Sequence, residues 1–187
     1  MKLVHVGGAK GVGKTTVLDT LAQSTNLGCT IQTIHSSTEL KQYALESYGK
    51  NLGELNRSEL FTIQSKLITH VSSLKCDLVI FDTHYIDIGL DGSIVRLMPR
   101  EHEAIYKYHV IIEAPAAEVL TRRLRDKSRV RSLDISMIDK EITEERIVAH
   151  DIASRNGAVL FSVNNLNTEE TISELGRIVK LMMLKRD

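Results

Sequence analysis

A short glycine-rich segment near the start of the chain has the residue types and spacing that bind phosphate groups. It spans residues 8–15, reads GAKGVGKT, and fits the pattern G-x-x-x-x-G-K-[ST] at every fixed position. Glycines allow a backbone to approach an anion closely, and the N–H groups of such a loop point at phosphate oxygens. We therefore expect Lys14 to contact the outer phosphates of a nucleotide and the Thr15 hydroxyl to bind Mg²⁺.

The residues on either side of this segment predict the strand and helix that would position it. An apolar run at 3–6 predicts a buried strand, and apolar residues recur at helical spacing from Val17 to Ala22. A helix N-terminus after such a loop adds its free N–H groups and its dipole to anion binding. An accidental match is the alternative, and the strand–loop–helix context argues against it. The predicted ATP-binding residues are Gly8, Ala9, Lys10, Gly11, Val12, Gly13, Lys14, Thr15 and Thr16.

A second candidate group stands at the end of another apolar segment. Residues 76–82 read CDLVIFD and predict a central parallel strand that is buried on both faces. Asp82 at its end matches a Walker-B aspartate, which orients Mg²⁺ directly or through water; a turn or helix cap is the alternative. His84 is a candidate contact for the phosphate acceptor, with a partly buried structural histidine as the alternative.

A basic segment supplies the third candidate group. Residues 122–131 carry six positive side chains and one negative one, a net charge of +5 in a chain whose formal net charge is zero. Guanidinium groups bind phosphate oxygens in pairs, whereas the alternative is a solvated charged face. We expect a mobile lid at about 126–133, because its like charges repel until phosphates neutralise them. The candidate catalytic residues are Lys14, Arg122, Arg125, Arg129 and Arg131.

The order of the predicted elements indicates how these groups come together. Strand and helix patterns alternate, which predicts an α/β, three-layer P-loop NTPase fold: a five-stranded parallel sheet flanked by helices, with a short lid. Ligands bind beyond the carboxyl ends of such strands, where the glycine-rich loop and Asp82 would meet. The non-periodic stretch 83–98 predicts a binding loop, and Ser36 with Glu39 predicts a capping box. Further strands are predicted at 30–34, 108–113 and 158–163, and helices at 36–48, about 60–74, 115–125 and over 172–182. Another helix is predicted from 134 to beyond 152, with Ile135, Ile138, Ile142, Ala149 and Ile152 on its apolar side.

Length and composition exclude several classes of protein. The 187 residues predict a single domain, 1–187, and the zero net charge and 4% aromatic content argue against a nucleic-acid-binding protein. The sequence shows no secretory leader and no apolar run of membrane-spanning length, so a cytoplasmic protein without a membrane partner is expected. Cys29 and Cys76 stand alone, which predicts buried thiols rather than a disulfide framework or a zinc site.

Three motifs together resemble the archaeal-type adenylate kinase family. They are GVGKTT in the glycine-rich loop, FDTH at 81–84 and the arginines of 122–131, in the same order over nearly the whole chain. The resemblance implies a nucleoside-monophosphate-kinase fold, Mg-ATP as phosphoryl donor, AMP as acceptor, and two ADP as products. It matches Arg122, Arg125, Arg129 and Arg131 to the lid-region arginines of the family. Its members commonly form trimers, and they lack the cysteine-ligated lid of many bacterial adenylate kinases.

The acceptor side departs from the pattern of that family. After the second strand the family tends to have a Gly-Asp pair, and this chain has Ser36-Ser37. The acceptor-binding helical region is expected at about 36–75, with Ser36, Arg57 and His84 as candidate contacts. Two other functions stay open: a kinase of another small acceptor, such as a different nucleoside monophosphate, and a slow ATPase that acts as a switch. A GTPase is disfavoured, because 163–167 read VNNLN and lack the lysine and aspartate of a guanine-binding motif.

Overall fold

The computed structural model describes residues 1–89, 92–127 and 131–185 and contains a five-stranded parallel sheet between two layers of helices. The sheet strands are β1 (Lys2–Gly7), β2 (Ile31–His35), β3 (Leu78–Asp82), β6 (Tyr108–Glu113) and β7 (Val159–Asn164). They lie in the order β2-β3-β1-β6-β7. The predicted α/β fold with a five-stranded parallel sheet is thereby confirmed. The helices are α1 (Lys14–Ala22), α2 (Ser36–Tyr48), α3 (Arg57–Ser72), α4 (Arg100–Glu103), α5 (Ala116–Arg125), α6 (Ile135–Arg155) and α7 (Thr168–Leu184).

Alternate residues of the central strands face opposite sides of the sheet and enter different cores. On one side, Val4, Val6 and Ile80 pack with residues of α1 and α7. On the other side, Val79 and Phe81 pack with residues of α3. Burial on both faces explains why the strands read as nearly continuous apolar runs rather than as alternating patterns.

The stretch 83–98 is not a plain loop, contrary to the sequence prediction. It contains two short antiparallel strands, β4 (Ile86–Ile88) and β5 (Ile94–Arg96), in which Ile86 pairs with Arg96. Residues 90 and 91, between β4 and β5 in the sequence, lie outside the described part of the chain. The strands are only three residues long and β5 is exposed along its length, so they leave no periodic signal in the sequence.

Two local predictions about helices are wrong. Ser36 is the first residue of α2 and not its cap, and no side chain caps that end, so the predicted capping box with Glu39 does not form. Ile135 was predicted on the apolar side of α6, and its side chain is 49% exposed because it lies at the very first residue of that helix. A capping box does form between Asn56 and Glu59 at the start of α3.

No helix in the described residues has both the length and the apolar character needed to cross a membrane.

Candidate active site

The glycine-rich loop leaves the carboxyl end of β1 and passes into α1 against closely packed neighbours. Gly8 has a φ of 138°, and a Cβ there would lie 2.1 Å from the backbone oxygen of Ile112. A Cβ at Gly7 would lie 2.2 Å from the ring of Tyr85, which is fully buried. Since neither obstacle is the free end of a flexible side chain, the loop requires glycine at both positions.

The side chain of Lys14, near the end of the loop, is buried. Its ammonium donates a hydrogen bond of 2.6 Å to the Gly8 carbonyl and lies 3.2 Å from Nδ1 of His84. Burial lowers the pKa of Lys14, while the carboxylates of Glu145 and Asp82 act in the opposite direction. The site therefore holds a desolvated cation against the Gly8 carbonyl of the loop.

Glu145 of α6 connects the loop to the segment after β3. Its side chain is 1% exposed, and Oε2 accepts hydrogen bonds from the backbone N–H of Gly8 at 3.2 Å and of Tyr85 at 3.0 Å. Its other oxygen lies 3.4 Å from Nδ1 of His84, and that nitrogen also lies 2.7 Å from the Gly8 carbonyl. Only an N–H pairs with a carbonyl oxygen, so we place the His84 ring hydrogen on Nδ1.

Arg123 supports the loop from α5. Its guanidinium donates two hydrogen bonds to the carbonyl of Lys10, at 2.9 and 2.6 Å, and one of 2.6 Å to Glu141. Glu141 in turn accepts a hydrogen bond of 2.7 Å from the Lys10 N–H. Both backbone groups of Lys10 are thus paired with a buried ion pair, and the Lys10 ammonium contacts Asp87 on the hairpin.

Arg122 also donates to the loop backbone. It donates hydrogen bonds of 2.7 Å to the carbonyls of Val12 and Asn165 and one of 2.9 Å to Glu118. The side-chain amide of Asn165 shares the Val12 carbonyl at 2.7 Å. Arg122 is therefore fixed in the structure as it stands.

The other predicted arginines lie farther along the chain. Arg125 is exposed in the last turn of α5. Arg131 contacts Asp126 at 3.2 Å. Burial is the main cause of the lowered pKa of Lys14; the positive charge of Arg131 lowers this pKa further, whereas the nearby carboxylates raise it. Arg129 lies outside the described residues.

The register of the sheet brings Thr15, Asp82 and His35 together. Asp82 pairs with Val6 on one side and with His35 on the other, so all three strand ends meet at the loop. The Thr15 hydroxyl donates to Oδ2 of Asp82 at 2.7 Å, and Nδ1 of His35 lies 3.0 Å from the same oxygen. A hydroxyl and a carboxylate are the oxygen ligands that Mg²⁺ prefers. The described residues contain no group of three or more His, Cys, Asp or Glu side chains arranged to hold a metal.

A small cavity of about 60 Å³ opens beside the loop, between the sheet, α2, α3 and α4. Ser36 and His84, two of the predicted acceptor contacts, line it, and Arg57 is exposed at the start of α3 and is not among the lining residues. His84 therefore contacts the phosphate loop and the cavity at once. The remaining lining residues are His5, Leu40, Gln64, Leu67, Ile68, Phe81, Thr83, Leu97, Met98, Pro99, His102 and Tyr106.

Several residues at the site were not found from the sequence. Glu141 and Glu145 belong to a helix whose charged residues look like a solvated face, and only the fold shows that they point to the loop. Arg123 was part of the basic segment, but nothing in the sequence distinguishes it from its neighbours. His35 is the last residue of β2 and Asn165 directly follows β7, so position at a strand end is the one signal that would have selected them.

Comparison with known proteins agrees with this geometry. Residues 7–138 match the AAA_17 family, described as an AAA domain. The chain belongs to this family. The adenylate kinase of Methanothermobacter thermautotrophicus is 28% identical over 195 residues, covering 96% of this chain and 100% of its own. That of Thermococcus kodakarensis is 26% identical over 200 residues, covering 96% of this chain and 95% of its own. The predicted resemblance to adenylate kinases is confirmed. These relatives, together with the family match, identify this AAA-domain chain as a P-loop kinase.

Solved structures share the fold of this AAA-domain chain. A gluconokinase from Sinorhizobium meliloti superposes with a TM-score of 0.56 at 12% identity, covering 97% of this chain and 93% of its own. Shikimate kinase from Aquifex aeolicus superposes with a TM-score of 0.55 at 14% identity, covering 98% and 99%. At these sequence identities the superposition shows a shared P-loop kinase fold and does not identify the phosphate acceptor.

Proposed function

We propose that this protein is an adenylate kinase, which transfers the outer phosphoryl group of Mg-ATP to AMP and gives two ADP. The observation that carries the proposal is the position of His84. Its ring touches the phosphate loop at the Gly8 carbonyl and also lines the separate cavity. A kinase needs two substrates to meet at the transferring phosphate, whereas a nucleotide switch needs only one site.

The donor half of the reaction would be carried by the loop and Lys14. The loop N–H groups bind the phosphates of ATP, and the desolvated ammonium of Lys14 stabilises the charge on the transferring group. Because Lys14 donates to the Gly8 carbonyl at 2.6 Å, nucleotide binding has to replace that bond with one to a phosphate oxygen. Arg131, whose charge already reaches Lys14, is the best placed of the described lid arginines to add a second cation.

Magnesium would be held by Thr15 and Asp82. When bound, it would neutralise charge on the phosphates and orient them. In the structure, the Thr15 hydroxyl and Oδ2 of Asp82 are 2.7 Å apart, and His35 fixes the same carboxylate oxygen. Hydroxyl and carboxylate oxygens suit this ion, and the carboxylate is oriented before the ion arrives.

The cavity beside His84 would receive the acceptor. Part of its wall comes from α2 and α3, within the region 36–75 that the sequence assigns to acceptor binding, and the rest comes from the sheet, the segment after β3 and residues 97–106. The relatives named adenylate kinase favour AMP. Another nucleoside monophosphate is the second candidate, and a small hydroxylated acid is a third, because gluconokinase and shikimate kinase share the fold.

A coupled assay decides among these functions. The protein is mixed with Mg-ATP and, in separate reactions, AMP, CMP, UMP, shikimate, gluconate or no acceptor, and both ADP and free phosphate are measured. We expect ADP in excess of free phosphate only with AMP, and no such excess with the Lys14→Met variant. Equal amounts of ADP and phosphate in every reaction would identify an ATPase. Phosphoryl transfer to one of the other acceptors would mean that this acceptor, and not AMP, is the substrate.

Two accessory features belong to the same proposal. The segment at about 126–133 would act as the lid, and hydrogen exchange with and without a bisubstrate analogue tests it, because a lid becomes protected in the complex. The trimer implied by the family resemblance is tested by light scattering on the purified protein; a monomeric mass would exclude it.

A further inference from the structure

Glu145 is a buried carboxylate that stands beside a loop with the pattern of an anion-binding site. Its side chain is 1% exposed, and it belongs to α6, far along the chain from the loop. A buried negative charge costs desolvation free energy and repels a phosphate that binds close to it. Phosphate binding by the loop does not require such a charge, so the reason for it has to lie in the contacts that Glu145 makes.

One oxygen of Glu145 joins two backbone segments. Oε2 accepts a hydrogen bond of 3.2 Å from the N–H of Gly8 and one of 3.0 Å from the N–H of Tyr85. Gly8 is the first residue of the loop, and Tyr85 directly follows His84. A single atom therefore fixes the distance between the start of the loop and the segment that carries His84.

The other oxygen of Glu145 faces the His84 ring. Oε1 lies 3.4 Å from Nδ1 and has no hydrogen-bond partner within the described residues. The Gly8 carbonyl lies 2.7 Å from the same nitrogen. Because both neighbours of Nδ1 are acceptor oxygens, a hydrogen on Nδ1 is favoured and the ring is held in one orientation. The side chain of His84 keeps 24% of its surface exposed and lines the acceptor cavity.

The same arrangement brings Lys14 and His84 to one carbonyl oxygen. Lys14 donates to the Gly8 carbonyl at 2.6 Å, and its nitrogen lies 3.2 Å from Nδ1 of His84. Burial lowers the pKa of Lys14, and the carboxylate of Glu145 is the strongest of the charges that oppose this shift. Glu145 therefore favours the charged form of Lys14 as well as the orientation of His84.

A second carboxylate of α6 also holds the loop. Glu141 lies one helical turn before Glu145, on the same face of α6, and accepts a hydrogen bond of 2.7 Å from the Lys10 N–H. Farther along α6, Val148 packs with the buried ring of Tyr85. The helix is thus anchored on the segment after β3 and holds two N–H groups of the phosphate loop from there.

We infer that Glu145 is a positioning residue, which acts through His84 to hold the acceptor side of the site at a fixed distance from the phosphate loop and Lys14. The inference rests on the proposed function and deepens it, because phosphoryl transfer depends on the relative position of donor and acceptor. In this role Glu145 contacts neither substrate. Its substitution should therefore lower the rate of transfer more than it weakens the binding of ATP.

The test uses a variant that separates the two oxygens of Glu145. Glu145→Gln keeps one oxygen, which still accepts from the N–H groups of Gly8 and Tyr85, but it presents an NH₂ donor to the N–H of His84. Glu144→Gln is the matched control, because this partly exposed neighbour shows no contact with the loop or with His84 in the part of the chain that the structure describes. The double variant Glu145→Gln/His84→Ala shows whether the two residues act as a unit.

Two measurements are made on these variants. Steady-state kinetics with Mg-ATP and AMP give kcat and the KM of each substrate. Proton NMR of isotope-labelled protein detects the hydrogen on Nδ1 of His84 and its rate of exchange with water, and the signal is assigned by its loss in His84→Ala. The NMR measurement does not depend on enzymatic activity.

We expect Glu145→Gln to lower kcat about tenfold, with a much smaller change in the KM for ATP. A misplacement of about 1 Å can cost about 10²-fold in rate, and the amide keeps part of the geometry. In the His84→Ala background, Glu145→Gln should lower kcat no further. The Nδ1 hydrogen should be protected from exchange in the wild type and in Glu144→Gln, and should exchange about tenfold faster in Glu145→Gln.

Three results would overturn the positioning role and leave the kinase proposal intact. They are additive losses of kcat in the double variant, an equally protected Nδ1 hydrogen in Glu145→Gln, and a wild-type ring without a hydrogen on Nδ1. The last of these needs no variant at Glu145 to fold. A wild-type protein that transfers no phosphoryl group would overturn the kinase proposal, and the exchange measurement would still decide whether Glu145 holds His84.

Discussion

The phosphate loop and the acceptor cavity lie side by side and are built in opposite ways. The loop is a continuous backbone segment whose carbonyls and N–H groups are tied to charged side chains, among them Arg122, Arg123 and Glu145. The cavity is lined by a mixture of apolar and polar side chains from elements far apart in sequence, with no Lys, Arg, Asp or Glu among the lining residues that the structure describes. If the loop binds the phosphoryl donor and the cavity binds the acceptor, as we propose, charge and geometry are fixed for the donor, whereas shape and uncharged polar groups select the acceptor.

Removing the lysine of the phosphate loop should have the largest effect on activity. We expect Lys14→Met to lower kcat about 10³-fold, because it deletes a preorganised cation while keeping the apolar stem. The KM for AMP should change little. Single-turnover kinetics measure the rate, and thermal unfolding followed by circular dichroism shows that the variant is folded. Lys41→Met, at an exposed position of α2, is the matched control. A variant with near-normal turnover would mean that the donor site lies elsewhere.

The arginines test whether the charges around the loop are structural or catalytic. Arg131→Ala should lower kcat about 10²-fold, with partial recovery in Arg131→Lys, because an ammonium cannot reproduce a planar fork. Arg122→Ala should instead lower the free energy of unfolding and raise the KM for ATP, since it removes hydrogen bonds to Val12 and Asn165. Steady-state kinetics with each substrate varied in turn separates the two.

If both arginine variants lower only kcat, Arg122 acts on the transferring group and its loop contacts are broken in the active complex. Arg129→Ala is worth including, because the sequence prediction treats it like Arg131. Equal activity of the wild type and of both lid variants would make the basic segment a solvated surface.

A substitution at the proposed Mg²⁺ ligand Asp82 should have a smaller effect than the lysine and arginine substitutions. Asp82→Asn should raise the Mg²⁺ concentration for half-maximal rate about tenfold, because an amide is a weaker ligand than a carboxylate. His35→Gln should shift the curve far less, since it changes only the orientation of Asp82. Magnesium titration of activity measures both, and superimposable curves for Asp82→Asn and the wild type would remove Asp82 from the metal site.

The smallest effect concerns the buried histidines beside the cavity. Burial lowers the pKa of His109 from 6.5 to about 4, and that of His5 moves in the same direction. The unfolded chain therefore binds more protons than the folded one in this range, so stability is complete above pH 6.5 and falls as the pH decreases towards 4. The groups packed around the pair are Tyr85, Tyr106, His84 and Lys14.

Urea unfolding at pH 7.5 and pH 5 checks this prediction. The wild type should lose more stability between the two values than His5→Phe, which cannot take up the proton. Equal losses in the two proteins would show that His5 is not neutralised by burial.

The same contrast explains what could be predicted from the sequence. The loop, Asp82 and the five strands were predictable because each depends on a local pattern: a spacing of glycines, or an apolar run buried on both faces. The cavity was not, since His5, Gln64 and Met98 come together only through the sheet order and the packing of α3. Glu145 shows the limit most clearly, because its burial depends on contacts with residues 60 and 137 positions away.

The contact between Gly7 and Tyr85 has a consequence for how such chains diverge. A methyl group at position 7 would overlap a ring that is itself fully enclosed, so neither residue can drift alone. A side chain at position 7 becomes tolerable only once position 85 has become small, and a smaller residue at 85 leaves a void until position 7 fills it. Positions 7 and 85 should therefore change together across evolution, although they lie far apart in the sequence.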